Sequence, residues 1–252
     1  MYTITTYTQV VGIKYKVNEK FFDKWNPEMA YLLGYWYADG SIYPSVRGSY
    51  LSATSVVKEI IYNVKKWLKS KHIIREEKPI WPNGKTKYSL RIGNKSLYKA
   101  LIKLGLYPNK SLTVKFPYIP NRFLSHFIRG YFDGDGCVFL EMANGITRSR
   151  IIRRLSVIFT SGSQEFLKEL CKTLGSKLKL KQTRVYKSHR SYQLRYFTSD
   201  SVKLFKFMYE DCRKNAYLKR KLNYFGKYFK LRPQRLDTEI EDILNKHGAV
   251  AK

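Results

Sequence analysis

The chain has 252 residues, and its 48 lysines and arginines against 19 aspartates and glutamates give a net charge of +29. So large a basic excess predicts a polyanionic partner, with nucleic acid the first candidate and a membrane surface the second. The three cysteines are scattered without a Cys-x-x-Cys spacing, which argues against a zinc site and for a reducing compartment. No apolar run is long enough to span a membrane, and residues 1–11 lack the apolar stretch of a signal peptide.

The first half of the chain shows one series of predicted elements. After a leader, residues 1–26, Asn26 suits a helix N-cap and Pro27 the first helical position. The helix that follows carries the stretch LLGYWYADG, residues 32–40. The remaining elements are two strands within 41–55, an amphipathic helix at 57–68, strands at 73–80 and 87–92 joined by a turn with an Asn-Gly hairpin signal, and a helix at 97–104.

The second half repeats this series after a linker marked by prolines, residues 111–121. A helix at 121–135 carries the stretch IRGYFDGDG, residues 128–136, and YQLRY at 192–196 mirrors YSLRI at 88–92. The matching elements are strands at 136–142 and 150–160, a helix at 163–178, strands at 180–187 and 190–198, a helix at 199–210 and a basic, aromatic helix at 217–229. These internal matches indicate a duplication. A loosely attached tail is expected after residue 232.

The two motif stretches share small residues four positions apart and an aspartate near the end. Gly34 and Ala38 lie on one helix face, as do Gly130 and Gly134, so the two helices are predicted to pack closely along these faces. An aspartate then ends each helix, at residues 39 and 135, and the glycine after it suits a left-handed cap. Two carboxylates beside two partially negative helix ends repel each other and attract a cation such as Mg²⁺ or Ca²⁺. A buried helix pair with polar caps would explain the glycines but not the recurrent aspartate.

The paired stretches resemble the signature of the LAGLIDADG homing endonucleases in their two-motif, single-chain form. Asp135 follows Asp39 by 96 residues (135 − 39), and both lie in a basic chain of this size. The resemblance implies an α+β fold of two pseudo-symmetric αββαββα repeats. Two antiparallel sheets would form a saddle, with the motif helices at the central interface. The implied boundaries are 27–110 for the first repeat, 122–232 for the second and 233–252 for the tail.

The resemblance also implies an activity, a site-specific double-strand DNA endonuclease. A monomer would cut a long asymmetric site and leave short 3′ overhangs. Mg²⁺ would be the cofactor, Mn²⁺ would substitute for it, and Ca²⁺ would support binding without cleavage. The ligands that the resemblance implies are the carboxylates of Asp39 and Asp135, with the carbonyls of Gly40 and Gly136 as additional ligands.

The resemblance also implies a basic residue near each of the two scissile phosphates. Their positions after the third helix of each repeat give Lys110 for the first site and Lys221 for the second, with Arg220 as the alternative. Each would stabilise the transition state or polarise water, and simple phosphate contact is the alternative role. The sixth residue of the signature is Tyr37 in one copy and Asp133 in the other, a departure that does not involve the metal ligand.

Alternating polar residues on the predicted strands suit the DNA major groove. Lys87, Ser89 and Arg91 share one face of their strand, and arginine and glutamine side chains can read base edges. Solvent-facing polar residues are the alternative interpretation. The expected DNA-contact residues are Tyr43, Arg47, Lys85, Lys87, Ser89, Arg91, Arg148, Arg150, Arg154, Arg184, Lys187, Arg190, Gln193 and Arg195.

Other functions remain open on the sequence alone. A non-cleaving member of the same fold, such as an intron maturase bound to its own intron RNA or a transcription regulator, is the main alternative. A ribosome-associated structural protein is another. The chain shows no intein splicing blocks, so an intron-encoded or free-standing enzyme is expected. Its expected location is a bacterial, archaeal or phage-infected cytoplasm, or else an organelle matrix.

Overall fold

A computed structural model describes residues 15–144, 150–181, 183–213 and 215–249, without the side chains of 144 and 150–153. Eight helices lie within these ranges: α1 Pro27–Ala38, α2 Lys58–Trp67, α3 Lys95–Lys103, α4 Leu124–Asp135, α5 Gln164–Leu178, α6 Thr198–Tyr209, α7 Lys219–Leu231 and α8 Thr238–Lys246. The strands are β1 Gly40–Ser45, β2 Gly48–Ser55, β3 Ile74–Glu77, β4 Lys87–Gly93, β5 Gly136–Asn144, β6 Arg150–Ser161, β7 Val185–Ser188 and β8 Ser191–Phe197. Short 3₁₀ turns occur at Lys110–Leu112, Asn121–Phe123 and Pro233–Arg235.

The eight strands form two four-stranded antiparallel sheets with the same topology, which confirms the predicted fold class. Their orders are β1-β2-β4-β3 and β5-β6-β8-β7. The strand registers correspond as well. In the first sheet Arg91 of β4 pairs with Ser52 of β2, and in the second Arg195 of β8 pairs with Ile158 of β6. Each repeat therefore places its arginine-bearing strand inside the sheet, next to the long second strand.

The motif helices α1 and α4 pack against each other at backbone distance, as the small-residue spacing predicts. A Cβ atom on Gly34 would come within 2.0 Å of the Phe127 carbonyl oxygen, and one on Gly130 within 1.9 Å of the Tyr31 carbonyl oxygen. A Cβ on Gly134 would meet the Ala38 methyl group at 2.4 Å. The small residues therefore set the separation of the two repeats.

The left-handed caps expected at Gly40 and Gly136 are wrong. Gly136 has an extended backbone, with φ −98° and ψ 163°, and Gly40 is not among the described glycines with positive φ. Both glycines instead begin a strand, and a Cβ there would come within 2.5 Å of the Trp36 ring or 2.1 Å of the Phe132 ring. The glycines thus let an aromatic residue of the motif helix cover the first residue of β1 or β5.

The local helix signals are largely confirmed. The Asn26 side chain accepts a hydrogen bond from the Met29 amide at 2.9 Å, and Asn94 accepts one from Leu97 at 2.9 Å. Gly105 follows the end of α3 with φ +91°. The tight Asn-Gly hairpin is wrong, since β3 ends at residue 77 and β4 begins at 87, leaving a longer loop.

The C-terminal segment packs more firmly than the predicted tail. Ile240, Ile243 and Leu244 of α8 are buried, and Lys206 of α6 forms ion pairs with Asp237 at 2.8 Å and with Glu239. Before α1, the described residues also contribute to the core, through Phe21 and Phe22 among others. No helix in the described part of the chain has the length and apolar character needed to cross a bilayer.

Candidate active site and nucleic-acid interface

The two motif aspartates lie at neighbouring ends of the packed helices. Asp39 is the C-cap of α1 and its amide donates to the Tyr35 carbonyl at 2.9 Å, while Asp135 is the last residue of α4. The Asp39 side chain is exposed and that of Asp135 is half-buried. Asp39 Oδ2 lies 3.4 Å from the point that a Cβ on Gly134 would occupy, which places this carboxylate directly against the end of α4.

The aspartate pair is electrostatically unfavourable without a cation. Burial, and next the charge of Asp39, raise the pKa of Asp135 to about 6. Neighbouring protein atoms that exclude water also raise the pKa of Asp39 despite its exposed surface, and the positive charges of Lys221 and Lys110 oppose this shift. No side chain in the described ranges forms a hydrogen bond or ion pair with either carboxylate. The helix ends therefore present two acids with free oxygens.

A buried lysine covers the end of each motif helix. Lys110 Nζ donates to the carbonyls of Tyr37 at 3.0 Å and Ala38 at 3.4 Å. Lys221 Nζ donates to the carbonyls of Asp133 at 3.0 Å, Gly136 at 2.6 Å and Phe132. Both side chains are almost fully buried, at 6% and 3% exposure. Each lysine thus satisfies helix carbonyls that would otherwise lack partners and opposes the negative end of the helix dipole.

The lysines are also coupled electrostatically to the aspartates. Burial lowers the pKa of Lys221 to about 8 and lowers that of Lys110, whereas the charges of Asp135 and Asp39 raise the Lys110 value again. Arg220, the alternative to Lys221, is exposed and makes no helix-end contact of this kind, although its charge lowers the pKa of Asp39. The structure therefore places Lys110 and Lys221 in equivalent positions and Arg220 outside them.

The donor set fits a divalent cation that also binds a phosphate. Within the described residues, no three His, Cys, Asp or Glu side chains gather as a metal site. Mg²⁺ is commonly held by one or two carboxylates together with substrate phosphates, and Asp39 and Asp135 match that arrangement. The Gly136 carbonyl already accepts the Lys221 hydrogen bond, so this predicted ligand has one lone pair left.

One protein-family model matches both repeats of the chain. The profile of the LAGLIDADG-like domain matches residues 26–105 and 122–208, one match for each repeat. These segments span more than half of the chain and contain both motif helices. The chain belongs to the LAGLIDADG family.

Solved structures of other LAGLIDADG proteins share this fold at low sequence identity. The meganuclease I-AabMI bound to uncleaved DNA is 13% identical with a TM-score of 0.55, covering 90% of this chain and 99% of that chain. The homing endonuclease I-WcaI bound to its DNA recognition sequence is 13% identical, with a TM-score of 0.54 and coverage of 81% and 89%. I-LtrWI bound to target DNA is 14% identical, with a TM-score of 0.55 and coverage of 91% and 96%. No curated protein sequence matches the chain.

In this LAGLIDADG protein, the first sheet has a buried apolar face and an open polar face. Leu90 and Ile92 of β4 are buried, while Arg91 between them is exposed, as the alternation predicts. The Arg91 guanidinium lies over the ring of Tyr50 at 4.4 Å and that of Tyr43 at 5.2 Å. These stacked rings restrict the arginine before any partner is bound.

The second sheet also has an open polar face. Arg195 Nε donates to the Gln193 side chain at 3.0 Å, and both residues lie on the side opposite the buried Leu194. Arg154 lies over the Phe197 ring at 4.7 Å and pairs with Glu141 at 3.5 Å. The exposed face therefore combines cationic, amide and aromatic groups.

The other predicted DNA-contact residues divide into four groups. Lys87 and Ser89 share the open face with Arg91, and Arg184 stacks on Tyr186 at the edge of the second sheet. Exposed loop or turn positions hold Arg47, Lys85 and Arg190. Lys187 pairs with Tyr192, so its register puts it on the opposite face from Gln193. Arg148 lies outside the described residues, as does the side chain of Arg150.

Sequence reasoning missed a buried polar network beside the second helix end. Arg129 is 0% exposed and donates to the Ala216 carbonyl at 2.6 Å and to His126 Nδ1 at 2.9 Å. Asp133 Oδ2 accepts from the Tyr31 hydroxyl at 2.8 Å. An arginine and an aspartate among the buried residues of the motif helix were the available signal. Tyr50 and Arg75 on the open face were also missed, although strand alternation could have located them.

Proposed function

We propose that this LAGLIDADG protein is a site-specific, Mg²⁺-dependent double-strand DNA endonuclease that leaves short 3′ overhangs. The observation that carries the proposal is the paired site at the ends of α1 and α4. Each helix end combines one aspartate that lacks a cationic partner with one buried lysine. Two equivalent sites side by side suit the cutting of two antiparallel DNA strands, one at each helix end.

The sheets provide the surface that would hold the DNA. Their open faces carry stacked arginines and polar side chains, and the net charge of +29 favours a polyanion. A two-stranded or larger β-ribbon can enter the major groove, where arginine reads guanine and glutamine reads adenine. The two faces differ in their residues, so a monomer would read two different half-sites. I-AabMI, I-WcaI and I-LtrWI, which share the fold, are bound to DNA in their structures.

The residues of the helix ends divide the chemical tasks. Asp39 and Asp135 would hold the divalent cation, which when bound would supply an activated water and stabilise charge on the phosphate. Mn²⁺ would substitute for Mg²⁺, and Ca²⁺ would support binding without cleavage. Lys110 and Lys221 fix the helix-end carbonyls, and their positive charges act on both carboxylates from beyond ion-pair distance. Arg220 remains exposed and available to a phosphate.

The chain's cysteines fit the expected cellular setting of such an enzyme. Cys137, Cys171 and Cys212 are free thiols in the structure. A reducing intracellular compartment would keep the exposed Cys137 unmodified.

Selection from a randomised DNA library tests the proposal most completely. The wild-type protein would be incubated with the library in Mg²⁺, and linear products would be sequenced at both ends. We expect one long asymmetric site with staggered breaks on opposite strands. A parallel selection in Ca²⁺ by capture of bound DNA should return the same site uncut. Enrichment of a site in Ca²⁺ with no strand breaks in Mg²⁺ or Mn²⁺ would replace the proposal with the non-cleaving alternative.

A further inference from the structure

The sixth residue of the first motif connects α1 to the segment that carries Lys110. The Tyr37 hydroxyl donates to the Leu104 carbonyl at 2.7 Å, at the C-terminal end of α3. It lies beside Gly105, where a Cβ would come within 2.6 Å of it, so the turn after α3 is shaped around this hydroxyl. The Tyr37 carbonyl in turn accepts the Lys110 ammonium at 3.0 Å. One residue thus holds both the segment and the lysine.

The sixth residue of the second motif makes the same two connections with different chemistry. Asp133 Oδ2 accepts the Leu218 amide at 2.8 Å, just before α7 begins. The Leu218 carbonyl accepts the Lys221 amide at 3.0 Å. Lys221 Nζ then donates to the Asp133 carbonyl at 3.0 Å, which closes a ring of hydrogen bonds.

Each of the two side chains supplies the hydrogen-bonding group, donor or acceptor, that the backbone at its helix end lacks. At the C-terminal end of α3 the backbone offers an unpaired carbonyl, which needs a donor, and tyrosine supplies one. At the N-terminal end of α7 the backbone offers an unpaired N–H, which needs an acceptor, and aspartate supplies one. The two motif copies therefore differ at their sixth residue for a physical reason. The first meets the C-terminal end of α3, which precedes Lys110, and the second meets the N-terminal end of α7, which carries Lys221.

We propose that Tyr37 and Asp133 are positioning residues, each of which fixes the lysine at one of the two strand-cutting centres. The proposal rests on the endonuclease function proposed above. It predicts a strand-selective defect, because each side chain contacts the segment of one lysine only, although Asp133 also accepts the Tyr31 hydroxyl of α1 at 2.8 Å. A role in general stability predicts equal slowing of both strands.

The test is strand-resolved cleavage of the selected DNA site, with a different label on each strand, at saturating protein in Mg²⁺. Tyr37→Phe removes one hydroxyl and should slow one strand about tenfold more than the other, as expected for one lost hydrogen bond. Tyr35→Phe is the matched control, because it removes a hydroxyl of the same helix that binds the Thr54 carbonyl at 3.3 Å in the sheet. We expect it to show no strand bias.

Asp133→Leu removes the acceptor of the Leu218 amide and should slow the strand that Tyr37→Phe spares, with Tyr131→Phe as its control. Tyr131 lies on the same helix and its hydroxyl binds the Thr160 carbonyl at 2.8 Å. Should Asp133→Leu fail to fold, the Tyr37→Phe and Tyr35→Phe comparison decides the question. Equal slowing of both strands by Tyr37→Phe, or the same bias in Tyr35→Phe, would overturn the proposal.

Hydrogen exchange without DNA separates this proposal from the endonuclease function. Tyr37→Phe should increase amide exchange at residues 105–114 at least threefold more than Tyr35→Phe does, since it releases the turn that precedes Lys110. Unchanged exchange there would overturn the positioning role even if the wild type cuts DNA. Increased exchange in a protein that never cuts would contradict the endonuclease function and retain the anchoring of the lysine segment.

Discussion

Lys110 and Lys221 have equivalent places but unequal numbers of partners. Lys221 donates to three carbonyls and Lys110 to two, and both side chains are almost fully buried. Replacing either lysine by methionine would leave buried carbonyls unpaired at a helix end. We therefore expect Lys221→Met to lower the free energy of unfolding by about 2–4 kcal/mol and Lys110→Met by about 1–3 kcal/mol.

Urea denaturation of the two variants measures this difference. Lys219→Met, at an exposed position two residues before Lys221, provides the control and should stay within about 0.5 kcal/mol of wild type. Equal stability of Lys221→Met and Lys219→Met would contradict the contacts assigned to the Lys221 ammonium.

His126 gives the fold a specific sensitivity to acid. Burial, and next the charge of Arg129, lower its pKa to about 4, whereas an unfolded chain has the ordinary value of about 6.5. Between these values the unfolded state binds more protons, so this residue's contribution to stability falls as the pH drops from about 6.5 to about 4. Asp211 and Glu28 raise the pKa and Arg213 lowers it, but burial dominates.

The variant His126→Asn isolates this contribution. Its side-chain oxygen can accept from Arg129 where His126 Nδ1 does, at 2.9 Å, yet it does not titrate. Between pH 6.5 and pH 4 the variant should lose about 1–2 kcal/mol less stability than the wild type in chemical denaturation. A parallel loss in both proteins would show that His126 does not titrate differently on folding.

At the scale of elements, the helix pair α1 and α4 depends on its glycines. A Cβ on Gly34 would clash with the Phe127 backbone, whereas a Cβ on Gly175 of α5 would meet no atom within 4 Å. Gly34→Ala should therefore cost more than about 3 kcal/mol or prevent folding. Gly175→Ala should stabilise the protein by about 0.5–1 kcal/mol, because alanine suits a helix interior better than glycine.

Thermal and urea denaturation of both variants check this prediction. Destabilisation by Gly34→Ala of less than about 1 kcal/mol would mean that α1 and α4 separate more easily than their packing implies.

Much of this architecture could be predicted because it depends on short-range chemistry. Three local sequence patterns each predicted one structure correctly. They are the N-cap at Asn26, the alternation around Arg91 and the spacing of the motif glycines. The conformation of Gly136 could not be predicted, since it depends on the Phe132 ring folding over it. The roles of Asp133 and Arg129 likewise depend on distant residues such as Leu218 and Ala216, which no periodicity connects to the motif.

The candidate site likewise combines residues that the local sequence locates with residues that only the fold brings together. The repeat places Asp39 and Asp135 at matching helix ends, which the sequence shows directly. The lysines come from segments whose loops differ, and only the fold brings each ammonium to a helix end. Register also decides that Lys187 faces away from Gln193, a result that depends on which residues pair across the β7–β8 hairpin.

For the whole molecule, the charge of +29 predicts strongly salt-dependent DNA binding. Contacts to about 6–10 phosphates would weaken affinity by about 10³–10⁵ between 50 and 200 mM salt. Fluorescence anisotropy in Ca²⁺ measures this slope. We expect a scrambled duplex to bind more weakly with a similar steep slope, because phosphates do not carry sequence information. A slope near zero would contradict binding along the two sheets.

The most direct test of the central claim measures binding and cutting by the same variants. Asp39→Asn and Asp135→Asn remove one charge each from the helix ends while keeping the side-chain shape. At equal occupancy of the selected DNA site in Mg²⁺, we expect each to lose double-strand cleavage by at least about 10³-fold, while affinity changes by less than about tenfold. Full double-strand cleavage by either variant would contradict the account.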